Sequence, residues 1–248
     1  MHNTVQNLIE IENKIKLNNT KKINLPKIIA VSKTFKIDKI LPLVKYGHID
    51  FGENKVQEAV EKWTEIKKKN LEIKLHMIGK LQTNKVKFAV ALFDYIHSVD
   101  SEKLAKKIAD EQLKINKKIK IFLQINIGDE NQKSGINTKD INKLVSYCKE
   151  VNLDPVGLMC IPPINTDPQS YFNQMKQLNK SLGFRQLSMG MSSDYIKAAE
   201  NLSTYLRIGS SIFGERIYII SIFEFFFINF NIIKKSFFFK AMHPAVGL

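Results

Sequence analysis

The sequence predicts an α/β protein made of eight strand and helix units, a single (β/α)8 barrel with an extra N-terminal helix. Short apolar runs recur at intervals of roughly 20 to 30 residues, each followed by a stretch of helical periodicity. No linker rich in Gly, Ser or Pro divides residues 1–216. The length of 248 residues is close to the roughly 250 that one closed α/β barrel occupies. Strand then helix, repeated, implies a parallel sheet covered by its crossover helices. Counting units leaves an open doubly wound sheet equally possible at this point.

Taken in order, a helix over 5–17 opens the chain, placed where it could cap the N-terminal end of a barrel. The strands are expected at 28–32, 49–53, 74–78, 95–99, 120–126, 155–161, 185–189 and 205–208. Between them lie amphipathic segments such as 102–113 and 139–151, whose apolar residues recur three and four apart.

A hydrophobic fraction of 44% with 25% charged residues describes an ordinary globular chain. The net charge of +14 raises a nucleic-acid reading. Its lysines, however, are scattered over helix faces, as at Lys67, Lys68, Lys106 and Lys107, with Glu61, Glu65, Glu102 and Asp110 interleaved. Solvated faces explain them, and no nucleic-acid partner is expected. Cys148 and Cys160 have no paired spacing, and the N-terminus lacks the apolar core of a secretory signal. A cytoplasmic protein is expected.

In a barrel, functional residues project from the C-terminal ends of the strands. Lys33 follows the apolar run Ile28-Ile29-Ala30-Val31-Ser32. A lysine pointing inward there would lose hydration, which favours the neutral, nucleophilic amine needed for a Schiff base. Asn54 follows the second strand. At the far end of the chain, Leu206-Arg207-Ile208-Gly209-Ser210-Ser211 runs from a strand into a helix start, a pattern of backbone amides and hydroxyls suited to phosphate. Ser192-Ser193 follow Met189-Gly190-Met191 after the preceding strand, and barrel phosphate sites often use these last two turns. His76 reads as a hydrogen-bonded core or rim histidine rather than a metal ligand, since no acidic or histidine partner sits at ligand spacing, and His48 and His97 show no constellation. No metal site, dinucleotide fingerprint or P-loop is present.

Five motifs then carry a resemblance. They are Ala30-Val31-Ser32-Lys33-Thr34, Phe51-Gly52-Glu53-Asn54-Lys55-Val56-Gln57-Glu58, His76-Met77-Ile78-Gly79-Lys80-Leu81-Gln82-Thr83-Asn84-Lys85, Leu187-Ser188-Met189-Gly190-Met191-Ser192-Ser193-Asp194, and Arg207-Ile208-Gly209-Ser210-Ser211-Ile212-Phe213-Gly214. Through them the chain resembles the YggS/PROSC family of pyridoxal phosphate homeostasis proteins, related to the barrel domain of alanine racemase, over most of residues 5–216. The resemblance implies the closed barrel and pyridoxal 5′-phosphate (PLP) as cofactor. It implies a Schiff base on Lys33, a phosphate held by Ser192, Ser193, Gly209 and Ser210, and Arg207 facing the pyridine nitrogen; Asn54 and Met189 complete the expected cofactor site. A permanent cation at that nitrogen weakens the ring as an electron sink. The expectation is therefore a monomeric carrier that stores PLP, protects it and hands it to PLP-dependent apoenzymes, rather than an enzyme.

Two other readings stand beside it. A racemase-like PLP enzyme acting on amino acids would need a second base, and the related racemases take theirs from a partner subunit beside an added β-domain, for which residues 217–248 leave no room. An RNA-associated protein rests on net charge alone. The sequence departs from the family after Arg216, where a hydrophobic C-terminal extension over 217–248 runs through Phe223-Glu224-Phe225-Phe226-Phe227. It approaches the length of a membrane span, but Glu224, Asn229 and Asn231 interrupt it. An anchor, an extra packed element and an extension without selected structure all fit it; the last is favoured, with aggregation as its practical risk. Phe35-Lys36 stands where the family often has proline, so a locally different first turn is expected.

Overall fold

Strands buried on both faces need near-continuous apolar runs, and crossover helices need one apolar stripe. A computed structural model, describing residues 1–19, 24–130 and 134–215, turns these runs into β1 (Lys27–Val31), β2 (Asp50–Glu53), β3 (Lys74–Met77), β4 (Tyr95–Val99), β5 (Lys120–Ile125), β6 (Pro155–Cys160), β7 (Gln186–Ser188) and β8 (Tyr205–Ile208). All pair in parallel and in sequence order, and β8 returns to β1 through Lys27↔Tyr205 to Ala30↔Ile208. The sheet is a closed (β/α)8 barrel, and the open alternative is removed.

The helices are α1 (Asn3–Asn18), α2 (Ile37–Tyr46), α3 (Val56–Lys69), α4 (Val86–Leu92), α5 (Glu102–Lys114), α6 (Ile141–Glu150), α7 (Gln169–Ser181), α8 (Tyr195–Glu200) and α9 (Ser210–Phe213). The body of α1 packs against α2, α8 and α9, beside the seam between β8 and β1, and its Glu12, Ile15 and Lys16 share a cavity with Lys27 and Asp50 at the N-terminal ends of β1 and β2. Asn7 Nδ2 fastens it by donating to the Ile212 carbonyl at 2.9 Å. Met1–Gly214 form one compact unit. The extension over 217–248 lies outside the described residues. Among the described residues no helix is long and apolar enough to cross a membrane.

Side chains alternate between the two faces of a strand. Outward residues such as Ile28, Ala30, Phe51, Leu75, Ile96, Leu158 and Leu206 join the helix-facing core. Each large side chain fully buried there contributes about 1.5–3 kcal/mol. Inward residues Ile29, Tyr95, Phe122, Met159 and Tyr205 form a separate cluster inside the barrel. Gly157 lets β6 and β7 approach, since a Cβ there would collide with the Gln186 carbonyl oxygen. The interior also holds buried His76, His97, Gln124, Ser188 and Arg207, where barrels usually stack branched apolar residues.

Candidate functional site

β1 delivers Ile29 inward, and Lys33 lies two residues past the end of β1, in the turn at the C-terminal mouth, where it is half-buried. The turn that bears it is held from β2 and α3. Ser32 Oγ donates to Glu53 Oε1 at 2.7 Å, and Trp63 Nε1 donates to the same oxygen at 2.9 Å. Lys62 Nζ lies 3.0 Å from both Glu53 and Glu58, and donates to the Ser32 carbonyl at 2.9 Å. Glu58 in turn accepts from the Thr34 amide. Thr34 sits at φ 67°, a conformation costly for a β-branched residue that persists only where its surroundings impose it. The Phe51–Glu58 motif therefore clamps the lysine turn. The sequence reading did not assign Glu53, Glu58 or Lys62 to that task. Phe35 is buried and stacks on Phe213 with ring centroids 5.0 Å apart, which ties the β1 turn to α9.

Asn54 follows β2 and is half-buried. A Cβ at Gly79 would collide with the Asn54 backbone, so the turn after β3 packs directly on it. Past β7 and β8, the Ser192 hydroxyl oxygen accepts from the amides of Gly209 at 3.3 Å and Ser211 at 3.4 Å. The two turns expected to grip phosphate are thus joined to each other, and a hydroxyl that accepts two amides still has its own proton to donate. Ser193 and Ser210 are exposed, and Gly209 is buried. Met189 is fully buried with its side chain in the helix-facing core, so its backbone is the part near the mouth.

Arg207, on the inward register of β8, is 4% exposed. It donates from Nη1 to Ser188 Oγ at 2.7 Å and from Nη2 to the Cys160 carbonyl at 2.8 Å, both neutral acceptors. Behind Ser188 lie His97 Nδ1 at 2.8 Å, then His97 Nε2 to His76 Nδ1 at 2.9 Å, then His76 Nε2 to Asp50 Oδ1 at 2.9 Å. His76 is thus the hydrogen-bonded core histidine that the sequence suggested, whereas His97, expected to stand in no constellation, is joined to it. Burial pushes His76 below the ordinary imidazole range against the pull of Asp50. Burial, then the charges of His76 and Arg207, hold His97 well below it. His48 Nε2 donates to the Asp50 carbonyl at 2.9 Å, outside this chain of contacts. Burial also pushes the Cys160 thiol up to about 12, which leaves it inert at neutral pH. Among the described residues no group of three or more His, Cys, Asp or Glu could hold a metal ion.

The family model described as "Alanine racemase, N-terminal domain" matches residues 7–217. A pyridoxal phosphate homeostasis protein of Aquifex aeolicus is 37% identical over 178 residues, covering 68% of this chain and 77% of the relative. The chain belongs to this family. Another member bearing that name, from Escherichia coli K12, is 33% identical over 189 residues, covering 72% of this chain and 81% of its own length. Among solved structures, PipY of Synechococcus elongatus with PLP bound is 29% identical with a TM-score of 0.76, covering 85% of this chain and 100% of its own. The alanine racemase of Clostridium difficile, at 14% identity and a TM-score of 0.65, covers 88% of this chain and 58% of its own, and shares the fold alone.

Proposed function

We propose that this chain binds pyridoxal 5′-phosphate at the C-terminal mouth of the barrel and serves intracellular PLP homeostasis as a carrier. The observation that carries the reading is Arg207, a cation buried on neutral oxygens, on the strand next to the one that presents Lys33. A guanidinium donates and never accepts, which suits a pyridine nitrogen; the joined Ser192 and Gly209 turns offer donors to a phosphoryl group; an amine at the β1 turn suits an aldehyde. The residues present therefore fit the cofactor. PLP when bound supplies an aldehyde that condenses with a lysine amine, releasing water. Lys33 is the proposed attachment point. Ser192, Ser193, Gly209 and Ser210 would hold the phosphate, Arg207 the ring nitrogen, and Asn54 and the Met189 backbone the flanks.

Residues 1–216 are the proposed cofactor-binding unit. The fixed charge of Arg207 keeps a proton off the ring nitrogen and so disfavours carbanion chemistry. That supports storage and delivery to apoenzymes over amino-acid turnover, and the names of the homeostasis relatives agree with it. Borohydride treatment of the PLP-loaded chain followed by peptide mapping tests the reading. The adduct is expected on Lys33, and Lys33→Ala is expected to lose the Schiff-base absorbance. A native chain without a reducible adduct, or with its adduct on another lysine, refutes it.

A further inference from the structure

Five buried side chains on inward strand positions are joined end to end, from Arg207 through Ser188, His97 and His76 to Asp50. Each ring is also fixed by stacking. His97 lies on Phe122 and His76 on Tyr95, both with centroids 4.3 Å apart and interplanar angles of 23° and 12°. Both imidazoles are 0% exposed, so the neutral form is favoured at each. With both rings neutral and Asp50 ionised, a single arrangement of protons satisfies every contact. A carboxylate only accepts, so His76 carries its proton on Nε2 and accepts at Nδ1. His97 must then carry its own proton on Nε2 and accept at Nδ1. Ser188 donates there, and its oxygen accepts from Arg207, which has donors only.

We propose that Asp50, His76, His97 and Ser188 are positioning residues, a one-way run of hydrogen bonds that holds Arg207 in the orientation from which it meets the cofactor's pyridine nitrogen. The proposal rests on the function proposed above. The run lets Asp50 act as the remote counter-charge of Arg207. A carboxylate in direct contact would instead claim the guanidinium fork bidentately and turn it away from a ligand. Ser188 and Cys160 engage one nitrogen each, which leaves donors for a ring nitrogen out of the five that a guanidinium carries.

The test combines ring-nitrogen NMR of ¹⁵N-histidine-labelled chain with PLP release measured by Schiff-base absorbance. In the native chain without added PLP, His76 and His97 are expected as neutral Nε2–H tautomers. In Ser188→Ala, His97 Nδ1 loses its donor and its resonance moves to that of an unbonded ring nitrogen, while both rings stay on Nε2–H because His76 Nδ1 still accepts from His97. PLP release then speeds up by about tenfold, the scale of one charge-assisted hydrogen bond. Ser188→Thr, which restores the hydroxyl, is expected to bring both readouts back towards native. A native His97 protonated on Nδ1, or a charged His76, overturns the proposal without needing any variant to fold. A folded Ser188→Ala chain with native release overturns the positioning role alone. A native chain that binds no PLP refutes the proposed function and the positioning role together, and the nitrogen spectrum still decides the proton arrangement.

Discussion

Lowering the pH from 7.5 to 5.5 is expected to cost this chain a large share of its stability, through the histidines of the barrel interior. In the unfolded chain an imidazole titrates near its ordinary value of 6.5. In the folded chain burial holds His76 below that value and His97 well below it. Between the folded and unfolded values the unfolded chain takes up protons that the native chain refuses. Stability is therefore complete above the unfolded value and is lost as pH falls below it, until the native rings themselves protonate. A ring that stays neutral at pH 5.5 contributes a loss of about 1.4 kcal/mol relative to pH 7.5, and two such rings about 2.8 kcal/mol. His48, pushed down mainly by burial, adds to the fall.

Against a typical total of about 5–15 kcal/mol such a loss is readily measured. Urea unfolding at each pH, followed by the fluorescence of the fully buried Trp63, reads it directly, since Trp63 is the single tryptophan of the chain. His97→Leu, whatever its stability at pH 7.5, is expected to remove about 1.4 kcal/mol of the difference between the two pH values. A native chain losing less than about 1 kcal/mol, or a His97→Leu chain with the native pH dependence, would show that the interior rings are hydrated or charged in the fold and refute the reasoning.

Two substitutions test the packing around the site. Lys62→Met leaves the fully buried Glu53 without its cation, which is expected to cost about 3 kcal/mol because an uncompensated buried charge remains; Glu53→Gln added to it should recover part of that loss in the same urea experiment. Gly157→Ala places a methyl group against the Gln186 carbonyl, a backbone that cannot yield without parting β6 from β7. A fall of at least about 3 kcal/mol is expected, or roughly 6–12 °C in Tm for a chain of this size, read by calorimetry.

The barrel was legible because its strands are largely buried on both faces and several announce themselves as apolar runs, such as Ile28-Ile29-Ala30-Val31 of β1 and Ile121-Phe122-Leu123 of β5. The run expected at 120–126 is β5, Lys120–Ile125, and the one at 185–189 is β7, Gln186–Ser188. The differences are the frayed ends that hydrogen bonding trims. Lys33, Asn54, Arg207 and Gly209 were legible as candidates because each stands in or just after a strand near its C-terminal end, a place that sequence order alone identifies. Lys62 was not legible. It falls four residues after Glu58 on α3 and reads as one of many helix-surface pairs, whereas the fold turns it towards Glu53. The histidine run escaped for a different reason. Asp50, His76, His97 and Ser188 belong to four different strands, and none has another member of the run near it in sequence. Strand order sets β3 beside β4 and β8 beside β7, and closure brings His97 of β4 to Ser188 of β7 within the interior; a usable signal existed only in their shared inward parity.

That parity sets the terms on which the barrel can hold a polar interior at all. A layer of Val and Leu would fill the same space without any desolvation cost, and replacing buried polar groups by apolar ones is often neutral or stabilising. The run from Arg207 to Asp50 is tolerated because its links are complete: Ser188 Oγ and all four imidazole nitrogens along it meet partners at 2.7–2.9 Å, and a half-satisfied network would be worse than none. Completeness depends in turn on register, because Ile29 pairs with Arg207 and Gly52 with His76. A slip of one residue in β8 would bring Ile208 inward and send Arg207 into the helix-facing core, breaking the run at its charged end and leaving Asp50 without a counter-charge. The same two-residue step that packs Tyr205 inside the barrel therefore fixes where the guanidinium can be. Strand register and site geometry are one constraint here, enforced by the penalty on every unpaired polar group that a shifted strand would bury.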